Sequence, residues 1–272
     1  APPPPTSNRE YNDPNNWDTF GVPTGLGSVA TFNSSFLPTI TITLFFGPLS
    51  INEFQLNGNG GNNSFIFSLA VDSFTFLNNG IENNSLNIPT LTVANGPLIF
   101  ANGSTAANSN IIINGGSVSF NDNSMTGTST ITNNATLNLS SAELSPGATI
   151  INNVGGQINI NTLAEVGSIS GAGDITLTND LSVGTLDQND TISGVIDGAG
   201  RLTKVGTEIL TLSGANTYTG GTTFTGGTLS VDNDGNLGDV AGDLIFDSGT
   251  LRTLTSFASA RSVSVDVAGG TI

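Results

Sequence analysis

Lys204 is the chain's single lysine, so a Ser–Lys nucleophile–base pair could be built on no other residue. Such a pair needs a serine hydroxyl within hydrogen-bond reach of the amine. Serines are plentiful, but Lys204 lies inside a strand-like repeat motif, where a structural role is the better reading. The chain has no histidine and no cysteine, which removes the commonest general base, the thiol nucleophile and zinc-thiolate ligation. Carboxylates remain. Asp174, Asp180, Asp187, Asp190 and Asp197 are candidates for an inverting glycosidase pair, whose carboxyls stand about 6.5–9.5 Å apart. Most adjoin Gly or Asn, as turn aspartates do, and Arg201 and Lys204 are too few to organise a polyanionic sugar.

Asp232, Asp234, Asn236 and Asp239 crowd together in DNDGNLGD, superficially like a calcium loop. Counted from Asp232, the glycine and glutamate that an EF-hand needs are replaced by Leu237 and Asp243, so a turn is expected. The GAG triplets at 171–173 and 198–200 lack the third glycine and following helix of a dinucleotide site. No catalytic, cofactor-binding or metal-binding residue is assigned. Of the candidate recognition aromatics, Trp17 fits a cap on the open end of a stack, and Tyr218 fits packing across a Gly-rich corner.

The elements that would position these groups are strands. Apolar residues alternate at period two in TITITL (39–44), SFIFSL (64–69), SVSF (117–120), TLNL (136–139) and QINI (157–160), the period of a strand with one face inside. N-G, G-G and N-N pairs separate these runs. LIF (98–100), VSF (118–120), LNL (137–139) and INI (158–160) follow one another at nearly even steps. Ile112, Ile131 and Ile150 recur at one constant interval and are expected to form an interior column; Asn114, Asn133 and Asn152 follow as a corner column. Ala106, Met125 and Leu144 keep the same phase. Short strands recurring every ~20 residues without helices predict an all-β parallel β-solenoid, in which each coil is completed by its neighbours. Gly and Asn tolerate the left-handed backbone of its turns. A β-sandwich would also space its strands by turns, yet gives no reason for asparagine to return at a fixed interval.

Five basic residues against 21 acidic ones give a formal charge of −16, which argues against nucleic acid and anionic membrane surfaces. No apolar run is long enough to span a bilayer as a helix. The absence of cysteine excludes a disulfide framework.

Residues 197–238, DGAGRLTKVGTEILTLSGANTYTGGTTFTGGTLSVDNDGNLG, resemble the passenger-associated transport repeat of bacterial autotransporters. The matching elements are Leu202-Thr203-Lys204, Leu210 to Gly214, Asn216 to Thr222, Gly227-Thr228-Leu229 and Leu237-Gly238; Arg201 stands where the family usually has glycine. GSISGAGDITL (167–177) and GDLIFDSGTLRTLTSFASARSVSV (242–265) are similar to flanking passenger coils, and residues 16–32 to an entry segment. The resemblance implies a right-handed parallel β-helix, secreted by the type V route and displayed on the outer face of the outer membrane. It implies an extended Pro-rich leader (1–15), β-helix coils with an N-terminal cap (16–196), the transport-repeat coils (197–240) and a further, truncated coil (241–272). The outer membrane would be met through a C-terminal barrel that this sequence does not contain. The expected function is a non-catalytic adhesin or stalk that meets a host-cell surface, matrix or glycan. A self-associating fibre subunit and a polysaccharide-degrading β-helix enzyme are the alternatives.

Overall fold

The computed structural model describes residues 8–10, 25–33, 39–44, 48–57, 64–69, 73–140 and 146–272, and their regular elements are strands apart from one 3-10 turn, Asp234–Leu237. None of the described residues forms a helix long and apolar enough to cross a membrane. The chain divides into two compact units, Ala1–Thr130 and Ile131–Ile272.

In the first unit the strands are β1 (Asn8–Glu10), β2 (Gly25–Asn33), β3 (Thr39–Leu44), β4 (Pro48–Asn57), β5 (Ser64–Leu69), β6 (Ser73–Asn83), β7 (Thr90–Val93), β8 (Pro97–Ala101), β9 (Asn110–Ile113) and β10 (Ser117–Asn121). Alternate strands share a sheet, in the orders β1-β3-β5-β7-β9 and β2-β4-β6-β8-β10. The pairings are parallel, as in Thr90↔Asn110 and Leu98↔Val118. This is the signature of winding: a strand meets its neighbour only after the chain has travelled a full coil, so a tight antiparallel hairpin is ruled out. The predicted alternation appears as buried residues at every second position of β7 to β10. Phe76 pairs Phe100 and Phe100 pairs Phe120, stacking their rings at 5.0 and 4.7 Å between centroids. Coils nearer the N-terminus are longer: Leu49 pairs Phe74, and after a register shift Phe54 pairs Ile81. That shift lengthens β6 locally, where Asn78 and Gly80 have φ of 74° and 79°.

The second unit begins within β11 (Thr130–Asn133), at Ile131, and continues with β12 (Thr136–Ser140), β13 (Thr149–Asn152), β14 (Gln157–Ile160), β15 (Ala164–Val166), β16 (Ser168–Gly171), β17 (Asp174–Leu177), β18 (Leu181–Val183), β19 (Asp190–Ile192) and β20 (Ile196–Gly198). Then come β21 (Leu202–Lys204), β22 (Ile209–Leu212), β23 (Thr222–Phe224), β24 (Thr228–Val231), β25 (Leu244–Phe246), β26 (Thr250–Thr253) and β27 (Val263–Val265). Its strands fall into three series, β11-β13-β16-β19-β22-β24-β26, β12-β14-β17-β20 and β15-β18-β21-β23-β25-β27. The register stays near the expected repeat: Leu137↔Ile158, Leu181↔Leu202, Leu202↔Thr222 and Leu210↔Leu229. Each unit is thus a parallel β-solenoid, with coils of ~20 residues in its regular part.

Three of the predicted series are corrected by the register. Ile131 and Ile150 are fully buried, and Ile150 pairs Ile169. Ile112 faces outward instead, opposite Thr92, while Ile111 and Ile113 point inward. Asn133 and Asn152 are buried, whereas Asn114 lies exposed beyond the end of β9. Met125 bridges Thr105 rather than sharing a position with Ala106, and it is 38% exposed. The cause is that the coil linking Thr105 to Met125 is longer by a single residue than the coil linking Thr149 to Ser168. With a side-chain period of two, an error of that size moves a side chain to the opposite face. Leu144 and Trp17 lie outside the described residues.

Candidate functional site

Among the described residues of the first unit, a groove of about 330 Å3 lies beside the β6 bulge, lined by Glu53, Asn78, Asn79, Ile81, Glu82 and Thr105, among others. The bulge shapes it, because Glu53 pairs Gly80 while Gln55 pairs Glu82. The two carboxyls therefore occupy diagonal positions on adjacent strands, within reach of long side chains. Glu53 is only 5% exposed and accepts a 2.6 Å bond from Asn79 Nδ2. Glu82 accepts from Gln55 Nε2 at 3.1 Å and Asn84 Nδ2 at 3.0 Å. Burial, then the bond shared with Glu82, push the Glu53 carboxyl above the usual glutamate range. Bonds from Glu53, Asn84 and Gln55 hold Glu82 below it. Spacing along the chain could not have revealed this pair, since the stretch between the two glutamates includes the bulge.

The aspartates singled out from the sequence do not converge. Asp174 Oδ1 accepts the backbone N–H of Val195 at 2.8 Å, and Asp180 Oδ1 that of Arg201 at 2.8 Å. Asp187 Oδ1 accepts both the N–H and the hydroxyl of Thr207 at 2.6 and 2.9 Å, which holds its carboxyl below the ordinary range. Each of the three ties a corner to the coil that follows. Asp197 is exposed on β20 opposite Thr176. Asp190 alone turns inward, accepting from Ser168 Oγ at 2.8 Å, and burial raises its carboxyl.

Lys204 is 2% exposed, on the inner face of β21. Its ammonium donates to the carbonyl of Val205. Burial depresses its pKa against the opposing pull of Asp187, Asp190 and Glu208. Ser168, the buried serine of this cluster, donates to Asp190 rather than facing the amine. The Ser–Lys pair is therefore not assembled.

The calcium-like segment is organised around an internal cation of a different kind. The Arg261 guanidinium bonds Asp234 Oδ1 at 3.0 Å through Nε, and through Nη2 the carbonyls of Asp234 and Gly238 at 3.0 and 2.7 Å. It also reaches the carbonyls of Asp239 and Gly242. Sequence reasoning missed this role because Arg261 lies more than a full coil beyond Asp234 along the chain. Tyr218 is fully buried under the same loop, its hydroxyl 2.7 Å from Thr222 Oγ1, in the corner position expected of it.

Buried asparagines close other corners. Asn133 Nδ2 donates to Asn152 Oδ1 at 2.8 Å, and Asn152 Nδ2 to the Asp174 carbonyl at 3.0 Å. Asn216 takes the Ile196 N–H at 2.8 Å and donates to the Asn236 carbonyl at 2.6 Å. Such ladders satisfy buried backbone groups that the turns leave free. Outward faces carry amide and hydroxyl rows such as Asn138–Asn159 at 2.7 Å and Gln157–Thr176 at 3.1 Å.

Residues 202–231 match the passenger-associated-transport-repeat family. Over 89 residues, 32% of this chain, the sequence is 39% identical to the adhesin BmaC autotransporter of Brucella suis biovar 1 (strain 1330), of whose length the match covers 3%. No solved structure matches the chain. The repeat and the relative support an autotransporter passenger domain that is secreted and displayed on the bacterial cell surface.

Proposed function

We propose that this passenger segment acts as a non-catalytic adhesin or stalk, whose contacts with a host-cell surface, matrix or glycan are spread along outward side-chain rows. The observation that carries the reading is the use made of its polar groups. Asp174, Asp180 and Asp187 are committed to backbone N–H groups of the next coil, and Lys204 and Arg261 are buried. What faces outward repeatedly is amide and hydroxyl, as in Asn138, Asn159 and Thr176. Similarity to a protein named as an adhesin supports the same reading.

The test is to display the chain through an outer-membrane barrel on a non-adherent bacterium. Attachment is then measured on host cells, matrix proteins and a glycan panel, with soluble chain as competitor. Saturable attachment abolished by the competitor is the expected outcome. Absence of attachment to every surface, or release of oligosaccharides from the panel, would overturn the adhesin reading.

A further inference from the structure

A carboxylate buried as deeply as Glu53 needs a cation or several N–H donors to keep its charge. Asn79 provides one donor. The elements around Glu53 are β2, β4, β6, β8 and residues 102–109, and none of them contains Lys, Arg or His. The acidic residues they contribute are Glu53 and Glu82 themselves. Glu82 is on the exposed side of the groove and already holds two amide donors, from Gln55 and Asn84. The more buried acid is therefore placed to carry a proton and donate it to the more exposed carboxylate.

We propose that Glu53 and Glu82 form a one-proton latch across the β4–β6 bulge, so that the groove is a pH-responsive element of the first unit. With the proton present, Glu53 donates to Glu82 and ties the two strands. When Glu53 releases that proton to solvent, two like charges face each other without a counter-ion, and β6 loosens from Asn78 to Glu82. The sign follows from the raised carboxyl of Glu53: the stabilisation is complete below the unfolded-state glutamate pKa and is lost as pH rises through the higher folded value. This inference does not depend on the adhesin reading.

The test is amide hydrogen exchange over residues 78–84, corrected for intrinsic rate, between about pH 5 and about pH 8, the span above the ordinary glutamate pKa. Protection should fall as pH rises, by up to about tenfold for each unit by which the folded pKa of Glu53 exceeds the unfolded one. In Glu53→Gln the amide N–H donates to Glu82 at every pH, so the dependence should vanish while the circular dichroism stays that of the wild type. Wild-type protection that is flat with pH, or a Glu53→Gln variant that keeps the wild-type dependence, would overturn the latch. If Glu53→Gln does not fold, carbon-13 titration of the wild-type glutamate carboxyls decides: a Glu53 midpoint above the ordinary range supports the latch, and one at or below it refutes it.

Discussion

At the scale of single residues, the decisive interior groups are those whose polar atoms the coil cannot satisfy with backbone alone. Arg261 holds Asp234 and several carbonyls of the 234–242 loop while its side chain is 1% exposed. Arg261→Met strands those acceptors and should cost about 3–5 kcal/mol in urea unfolding. Exposed Arg252, bonded to Ser230 Oγ at 3.0 Å, should cost under about 1 kcal/mol as Arg252→Met. Burial alone would raise Asp234, but its bonds to Arg261 hold it below 3.8. The stabilisation it lends is present above that value and fades as pH falls through the lower folded pKa. A scan of unfolding against pH should therefore show a smaller acid loss in Asp234→Asn than in wild type. Tyr218, pushed by burial up to about 12 from 10.0, has the opposite signature. Its contribution is intact below 10 and is lost as pH rises toward 12, so ultraviolet titration of the folded protein should find one tyrosinate forming near that upper value. Residue identity alone could not disclose these roles: the tyrosine's corner was readable from its Gly-rich setting, but Arg261 acts on a segment far back in the chain.

At the scale of elements, strand alternation and coil spacing were readable because both follow from local sequence. TITITL and QINI are β3 and β14, and the predicted alignment of Leu137 with Ile158 is the observed pairing. The errors at Ile112, Asn114 and Met125 come from assuming a constant coil length, which nothing local to a strand enforces. The Glu53–Glu82 pair was hidden for a related reason, since a bulge changes which residues lie side by side. Corners impose their own constraint. A Cβ on Gly194 would lie 2.0 Å from the Gly173 carbonyl oxygen of the preceding coil, and backbone cannot yield there without parting the stack. Gly194→Ala should therefore cost at least about 1–3 kcal/mol, as overpacking does. Gly155 has φ of 84° but open space around it, so Gly155→Ala should cost only the left-handed penalty, about 1–2 kcal/mol. Paired thermal melts of the two variants would separate steric closure from backbone strain. In the first unit, Phe100 is sandwiched between Phe76 and Phe120, and Phe100→Ala should cost about 3–5 kcal/mol.

At the scale of the whole molecule, composition and architecture have one cause. A solenoid gains stability coil by coil and needs turn formers and strand formers more than charge, which agrees with 35 glycines and only 10% charged residues. The resemblance over 197–238 is narrower as a family match, 202–231, yet the coils on either side of it repeat its spacing. The most direct test of stacked parallel coils uses the absence of native cysteine. Thr136 pairs Gln157 and Asn138 pairs Asn159, each one coil further on, and all four side chains are half-buried on the outer face. Under mild oxidation, double-cysteine variants at 136/157 and at 138/159 should both close a disulfide, whereas 136/159 and 138/157 should stay reduced, because bridging fails beyond about 7 Å between Cα atoms. Closure of the second two pairs without the first two would mean antiparallel strands and would contradict the coil.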